Sequence, residues 1–135
     1  MNFGAVLFAL ALVAVIGAWV WTRRTQEPRV GGLYSVAQPG GYYLIAKILV
    51  AEATVVHVRL YKQRFAVRPR VVEPAALSLG RIGDPDGVGL GHMPLSRREF
   101  LSWQPVFVRQ VGVTEDELDG YHIWQQSKGG VWGKP

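Results

Sequence analysis

From Phe3 to Trp21 the chain has no charged side chain, and Arg23 and Arg24 follow at once. A helix of about 19 residues rises roughly 28 Å, close to the hydrocarbon thickness of a bilayer. A helix that is apolar on every side has no polar face to offer water, so lipid is its natural solvent. Residues 1–22 are therefore expected to form a transmembrane anchor. A cleaved signal peptide fits less well. The leading Met1-Asn2 carries no positive charge, and at Ile16-Gly17-Ala18 a large residue occupies the outer small position. Trp19 and Trp21 suit a membrane–water interface.

The flanking charges orient the anchor. Arg23, Arg24 and Arg29 follow the span and nothing basic precedes it. Basic flanks stay in the cytoplasm, so the N-terminus is expected outside and the C-terminal domain inside a bacterial inner membrane. Arg23 and Arg24 would lie against anionic lipid, each attracted by about 1 kcal/mol near the surface. The chain has no cysteine, which agrees with a reducing compartment.

Residues 23–32, with Pro28 and Gly31-Gly32, read as a linker. Residues 33–135 suffice for one small domain and not for two. Leu33–Gln38 is expected as a strand and Pro39-Gly40-Gly41 as a turn. Tyr42–Ala51 and Thr54–Phe65 are rich in β-branched and aromatic residues and read as a long hairpin turning near Glu52–Thr54. The two-residue period points Val56, Val58 and Leu60 to a core, with Val55, His57, Arg59 and Tyr61 on the other face. On the same alternation Lys62 and Arg64 face away from Arg59 and Tyr61. Ala75–Ile82 and Pro105–Val111 are expected as further short strands, with a glycine-rich loop over Gly83–Gly91.

Two capping boxes mark helix starts. Ser96-Arg97-Arg98-Glu99 opens a helix stopped by Pro105; Thr114-Glu115-Asp116-Glu117 opens one that runs to about Ser127 and stops at Gly129-Gly130. Trp124 and Trp132 are expected to fold back on the core. The resulting class is α+β: an anchor, then a small bent antiparallel sheet with two short C-terminal helices. An SH3-like open barrel is its sharper form, and a plain sandwich of sheet and helices the alternative.

No catalytic signature is complete. Asp84, Asp86 and His92 resemble the start of a metal loop, but Val88, Leu90 and Leu95 stand where a calcium loop needs oxygen ligands. Gly87-x-Gly89-x-Gly91 has no βαβ context for a dinucleotide. His57, His92 and His122 show no metal-ligand spacing, so no metal or cofactor is expected. Glu115, Asp116, Glu117 and Asp119 read as a solvated first helical turn.

Charge is distributed unevenly within the net +5. Arg29, Lys47, Arg59, Lys62, Arg64, Arg68 and Arg70 face only Glu52 before Val72, whereas acids outnumber bases from Glu73 onward. Bases interleaved with Tyr61 and Phe65 suit nucleic acid or a protein interface. The split between faces and the anchor argue against nucleic acid. His57, Arg59, Tyr61, Lys62, Arg64 and Arg68 are therefore the expected contacts to a protein partner, which their charge suggests is acidic. Asp84, Asp86 and His92 are candidate loop contacts.

In size and layout the plan is similar to small bacterial inner-membrane proteins that present one compact domain to the cytoplasm, immunity proteins against secreted toxins among them. That resemblance implies a non-catalytic, membrane-tethered binding module. An accessory subunit of an inner-membrane complex and a small hydrolase using His92 with Asp84 or Asp86 are the alternatives.

Overall fold

The computed structural model describes residues 27–135. The apolar run and the interface residues Trp19, Trp21, Arg23 and Arg24 lie outside them. Among the described residues no helix is long and apolar enough to cross a membrane.

Five antiparallel strands form one open sheet: β1 (Gly32–Gln38), β2 (Tyr42–Ala51), β3 (Val55–Leu60), β4 (Leu90–Ser96) and β5 (Val106–Gln110). Their spatial order is β4-β3-β2-β1-β5. Helix α1 (Arg97–Ser102) connects β4 to β5, and helix α2 (Asp119–Ser127) follows β5. The fold is thus α+β, as the pattern predicts.

Register sorts the side chains into two faces. Tyr34 lies opposite Ala46, and Val36 opposite Leu44. Ile48 pairs with Val58, and Val56 with Leu95. These residues make one apolar cluster, closed by Phe100 of α1 and flanked by Trp103 and Phe107. Tyr34 meets Phe100 and Phe107 edge-to-face, with ring centroids 5.7 and 5.6 Å apart. Val56, Val58 and Leu60 thus face a core as their alternation requires.

The opposite face carries Leu33, Ser35, Ile45, Lys47, His57 and Arg59. Leu33 and Ile45 form a second, smaller cluster with Val72, packed against Tyr61, Phe65 and Leu77. Both faces are therefore covered, and the second cannot serve as an open polar surface.

Several local expectations change. The described part of the expected linker, Glu27–Gly31, is tied to the sheet. Tyr34 Oη donates to Glu27 O at 2.9 Å and accepts from Arg29 N at 3.0 Å. A buried phenol needs partners, and this turn supplies them. Regular pairing in β3 ends at Leu60, but Tyr61 N donates to Ile45 O and Phe65 bridges Tyr43, so the hairpin is as long as expected but irregular at its end.

Ala75–Ile82 is not a strand. Pro74 opens a 3-10 turn over Pro74–Ala76, and only isolated bonds follow, such as Lys62 N to Ser78 O. Proline's fixed φ suits the first helical position. Strand β4, by contrast, was hidden by Gly91 and Pro94. An edge position tolerates proline, and β4 is an edge strand.

Ser96 caps α1 as expected, its Oγ accepting from Glu99 N at 3.0 Å. The reciprocal half of the box is absent. Ser96 N donates to Trp132 O, and Glu99 Oε1 accepts from the Trp103 indole at 3.3 Å. The tail thereby adds a short parallel bridge, Leu95 to Trp132, to the edge of β4. The Trp132 ring itself remains 68% exposed, so the tail docks by backbone rather than by burying its ring. The second box yields a 3-10 turn (Asp116–Leu118) before α2 starts at Asp119.

Candidate functional site

The polar residues of the second face meet beneath α2. His57 extends from the middle of β3 and is fully buried. His92 extends from β4, the neighbouring strand. His57 Nδ1 and His92 Nε2 are 2.9 Å apart, and the rings lie nearly parallel, 8° apart in plane. Such a contact needs one nitrogen protonated and the other bare.

Helix α2 covers this pair. Tyr121 and Trp124 are three residues apart and so lie on one helix face. Their rings meet His57 edge-to-face at 4.7 and 4.6 Å. Gly120 sits directly on His92: a Cβ there would lie 2.5 Å from the His92 Cβ. Only glycine lets the first turn of α2 approach so closely. On its far side, His57 Nε2 faces Glu52 Oε1 at 3.6 Å and has no hydrogen-bond partner among the described residues. Tyr121 Oη donates to that carboxylate at 3.3 Å and accepts from Gln125 Nε2 at 2.8 Å.

Burial lowers both imidazoles below the ordinary histidine range. For His57 the nearby Glu52 carboxylate partly opposes this; for His92 the neighbouring His57 adds to it. Burial and Glu52 raise the Tyr121 phenol.

Beside the pair lies an ion pair. Lys47, buried in β2, donates to both Glu117 oxygens at 2.8 and 2.9 Å. Arg59 Nε stands 3.9 Å from the same carboxylate. Glu117 Oε1 also accepts from Thr114 N at 3.1 Å, the one capping contact kept from the second box. Burial pushes Glu117 up, but the Lys47 ammonium and the Thr114 amide outweigh it and hold the carboxyl below its usual range. Glu117 is thus turned inward, not part of a solvated helical turn.

The expected contact residues separate into three environments. His57, Arg59 and half-buried Tyr61 belong to the covered face. Lys62 turns to the glycine-rich loop, 3.2 Å from Asp84 Oδ2 and 3.1 Å from Asp86. This happens because the chain leaves regular β geometry after Leu60, so alternation no longer governs Lys62 or Arg64. Asp86 and Asp84 raise the Lys62 pKa, while Arg81 N and Lys62 lower that of Asp84. Both acids are bonded to Lys62 and His92 to His57, so the structure does not bring His92 together with Asp84 or Asp86. Gly89 fixes the loop against the hairpin: a Cβ there would meet Leu60 O at 2.3 Å.

Arg64 and Arg68 form the third environment. The Arg64 guanidinium lies 4.6 Å above the Tyr42 ring, and Arg68 lies 4.6 Å above Tyr43. Arg68 also donates to Ser35 O at 2.9 Å and Oγ at 2.8 Å. Between and beyond them Val67 and Val71 are 80% and 82% exposed. An open hollow next to this strip is lined by Arg64, Phe65, Val71, Val72 and Leu77.

Among the described residues no group of three or more His, Asp or Glu could hold a metal ion. The histidine pair was not legible in the sequence, because β4 does not read as a strand. The spacing of Tyr121 and Trp124 was the one available sign of a helix face packed on the sheet. No family model matches the chain, and no curated protein or solved structure matches it either.

Proposed function

We propose that this chain is a non-catalytic protein-binding module, tethered to a bacterial inner membrane by Phe3–Trp21, with its sheet domain on the cytoplasmic side. The observation that carries the reading is the strip from Arg64 to Val71. Along this segment lie two arginine–tyrosine stacks and two exposed valines. Stacked guanidinium groups are already ordered, so binding them loses less side-chain entropy. Arginine, tyrosine and a desolvated apolar centre are the usual ingredients of an interface hot spot. Arg64, Arg68 and Arg70 give the strip a positive charge that suits an acidic partner. His57, Arg59 and Tyr61 act behind it as the support of the sheet.

The strand order, with α1 between the last two strands, supports reading the sheet as an open SH3-like barrel. An immunity or inhibitor role is the sharpest form of the proposal. An accessory subunit of a membrane complex is the second reading, favoured by the uncharged run Phe3–Trp21. Replacing that run with an unrelated span separates the two, since only the accessory subunit loses its partner.

The direct test is photo-crosslinking in native cells from positions 67 and 71, with position 82 as an exposed control on another loop. Crosslinks to one protein are expected from 67 and 71, absent from 82 and lost in Arg64→Glu. No crosslink, or equal yield in Arg64→Glu, overturns the proposal. Digestion of the domain by protease added outside intact spheroplasts overturns its placement.

A further inference from the structure

His57 and His92 form a pair that tolerates one extra proton and not two. With both rings neutral, Glu52 at 3.6 Å favours the tautomer with a hydrogen on His57 Nε2, which leaves His57 Nδ1 bare to accept from His92 Nε2–H. A first proton goes to His92 Nδ1, leaving the contact between the rings intact. A second would place hydrogens on both nitrogens across a gap of 2.9 Å and set two cations edge to edge. Even the first has a poor position. His92 lies under Gly120, in the opening turn of α2, and a helix carries partial positive charge at that end.

We infer that the His57–His92 pair is an acid-sensitive latch that holds α2 over the polar face of the sheet and releases it as the pH falls. Its release would expose His57, now fully buried, and the sides of the Tyr121 and Trp124 rings that pack on it.

The surrounding charges define the window. From the β2–β3 turn, Glu52 faces His57 and favours its protonation, but at 3.6 Å and shared with Tyr121 it does not form a close pair. From α2, Tyr121 stays neutral, since burial raises its phenol. Asp116 and Asp119 lie in the turn above His92 and are exposed to water, which screens them. Lys47, Arg59 and Glu117 flank the pair on the same face; Glu117 stays ionised because its carboxyl is held low. His122, with Glu115 at 3.8 Å, lies on the outer side of α2 and does not touch the pair.

The sign follows from burial. Both imidazoles are lowered, so the open state binds more protons than the closed one below the ordinary value of about 6.5. The latch is closed above that value and weakens as the pH falls toward the lowered values. Each proton taken up on opening shifts the equilibrium about tenfold per pH unit.

The test is hydrogen exchange of the full chain in detergent micelles at pH 7.5 and 5.5, corrected for intrinsic exchange rates. In the wild type the amides of 119–127 are expected to open at least about tenfold more often at pH 5.5, with β1 and β2 unchanged. In His92→Gln the amide can donate to His57 or accept from it and carries no charge, so the response is expected to shrink to the share that buried His57 alone contributes. Equal protection at both pH values, or an equal response in His92→Gln, overturns the latch. Should that variant not fold, imidazole titration of the wild type decides. Values for His57 and His92 below about 6.5, in the range where α2 opens, support the latch; values at or above it refute it.

Discussion

The two faces of the sheet share the same central strands, yet one is held by volume alone and the other adds paired polar groups to a smaller apolar cluster. On the first, Tyr34, Val36, Ile48, Val56, Val58 and Phe100 interlock with no charged group among them. On the second, buried Lys47 and His57 meet half-buried Glu117 and His92, and each pair depends on its protons. An apolar contact is indifferent to pH and forgiving of small shifts in direction. A buried charge is neither, since losing its partner leaves a cost of several kcal/mol. The first face thus gives the domain its stability. The second gives it conditional behaviour, under a helix that can leave.

The largest effect expected is on the apolar face. Phe100→Ala empties the space between Tyr34 and Trp103 and should cost about 3–5 kcal/mol, read as a lower denaturation midpoint with an unchanged loss from pH 7.5 to 5.5. A loss that shrank sharply with pH would erase the distinction between the faces.

A smaller effect is expected at the ion pair. Lys47→Met strands Glu117 and should cost about 2–3 kcal/mol, while Lys47→Met with Glu117→Leu should recover most of it. Failure of the double variant to recover would mean that Arg59, not Lys47, holds the carboxylate. The pair also sets a second pH window below that of the histidines. Because the Glu117 carboxyl is lowered, its contribution is complete above the ordinary carboxylate range and is lost as the pH falls through its folded value. Acid denaturation of Glu117→Gln should lack this lower phase.

The smallest effect concerns the end of α2. Lys128 adopts a left-handed conformation, with φ 50°, just before the expected stop at Gly129. Lys128→Gly should raise stability by about 0.5–1 kcal/mol. If it also slows the acid opening of α2, the helix and the latch act as one unit; if not, α2 frays independently of the pair.

Legibility followed the range of the interactions. The β2–β3 hairpin, its turn at Glu52–Thr54 and the Ser96 cap were readable because each rests on residues a few positions apart. Strand β4 was not, since its Gly91 and Pro94 imitate a loop and only its place at the sheet edge admits them. Of the expected contact residues, Arg64 and Arg68 reach the surface strip, whereas His57 is interior. Alternation places His57 on the second face but says nothing of what covers that face.

The amino-acid order alone determined the local periods, caps and turns, because hydrogen bonds and side-chain directions within a few residues decide them. It also determined the uncharged run before Arg23. The tertiary structure alone decided that His57 meets His92, 35 residues away, and that Lys47 meets Glu117, 70 away. Such pairs depend on strand register and on where a returning helix lands. Those are settled by the packing of the whole sheet, which no short stretch of sequence records.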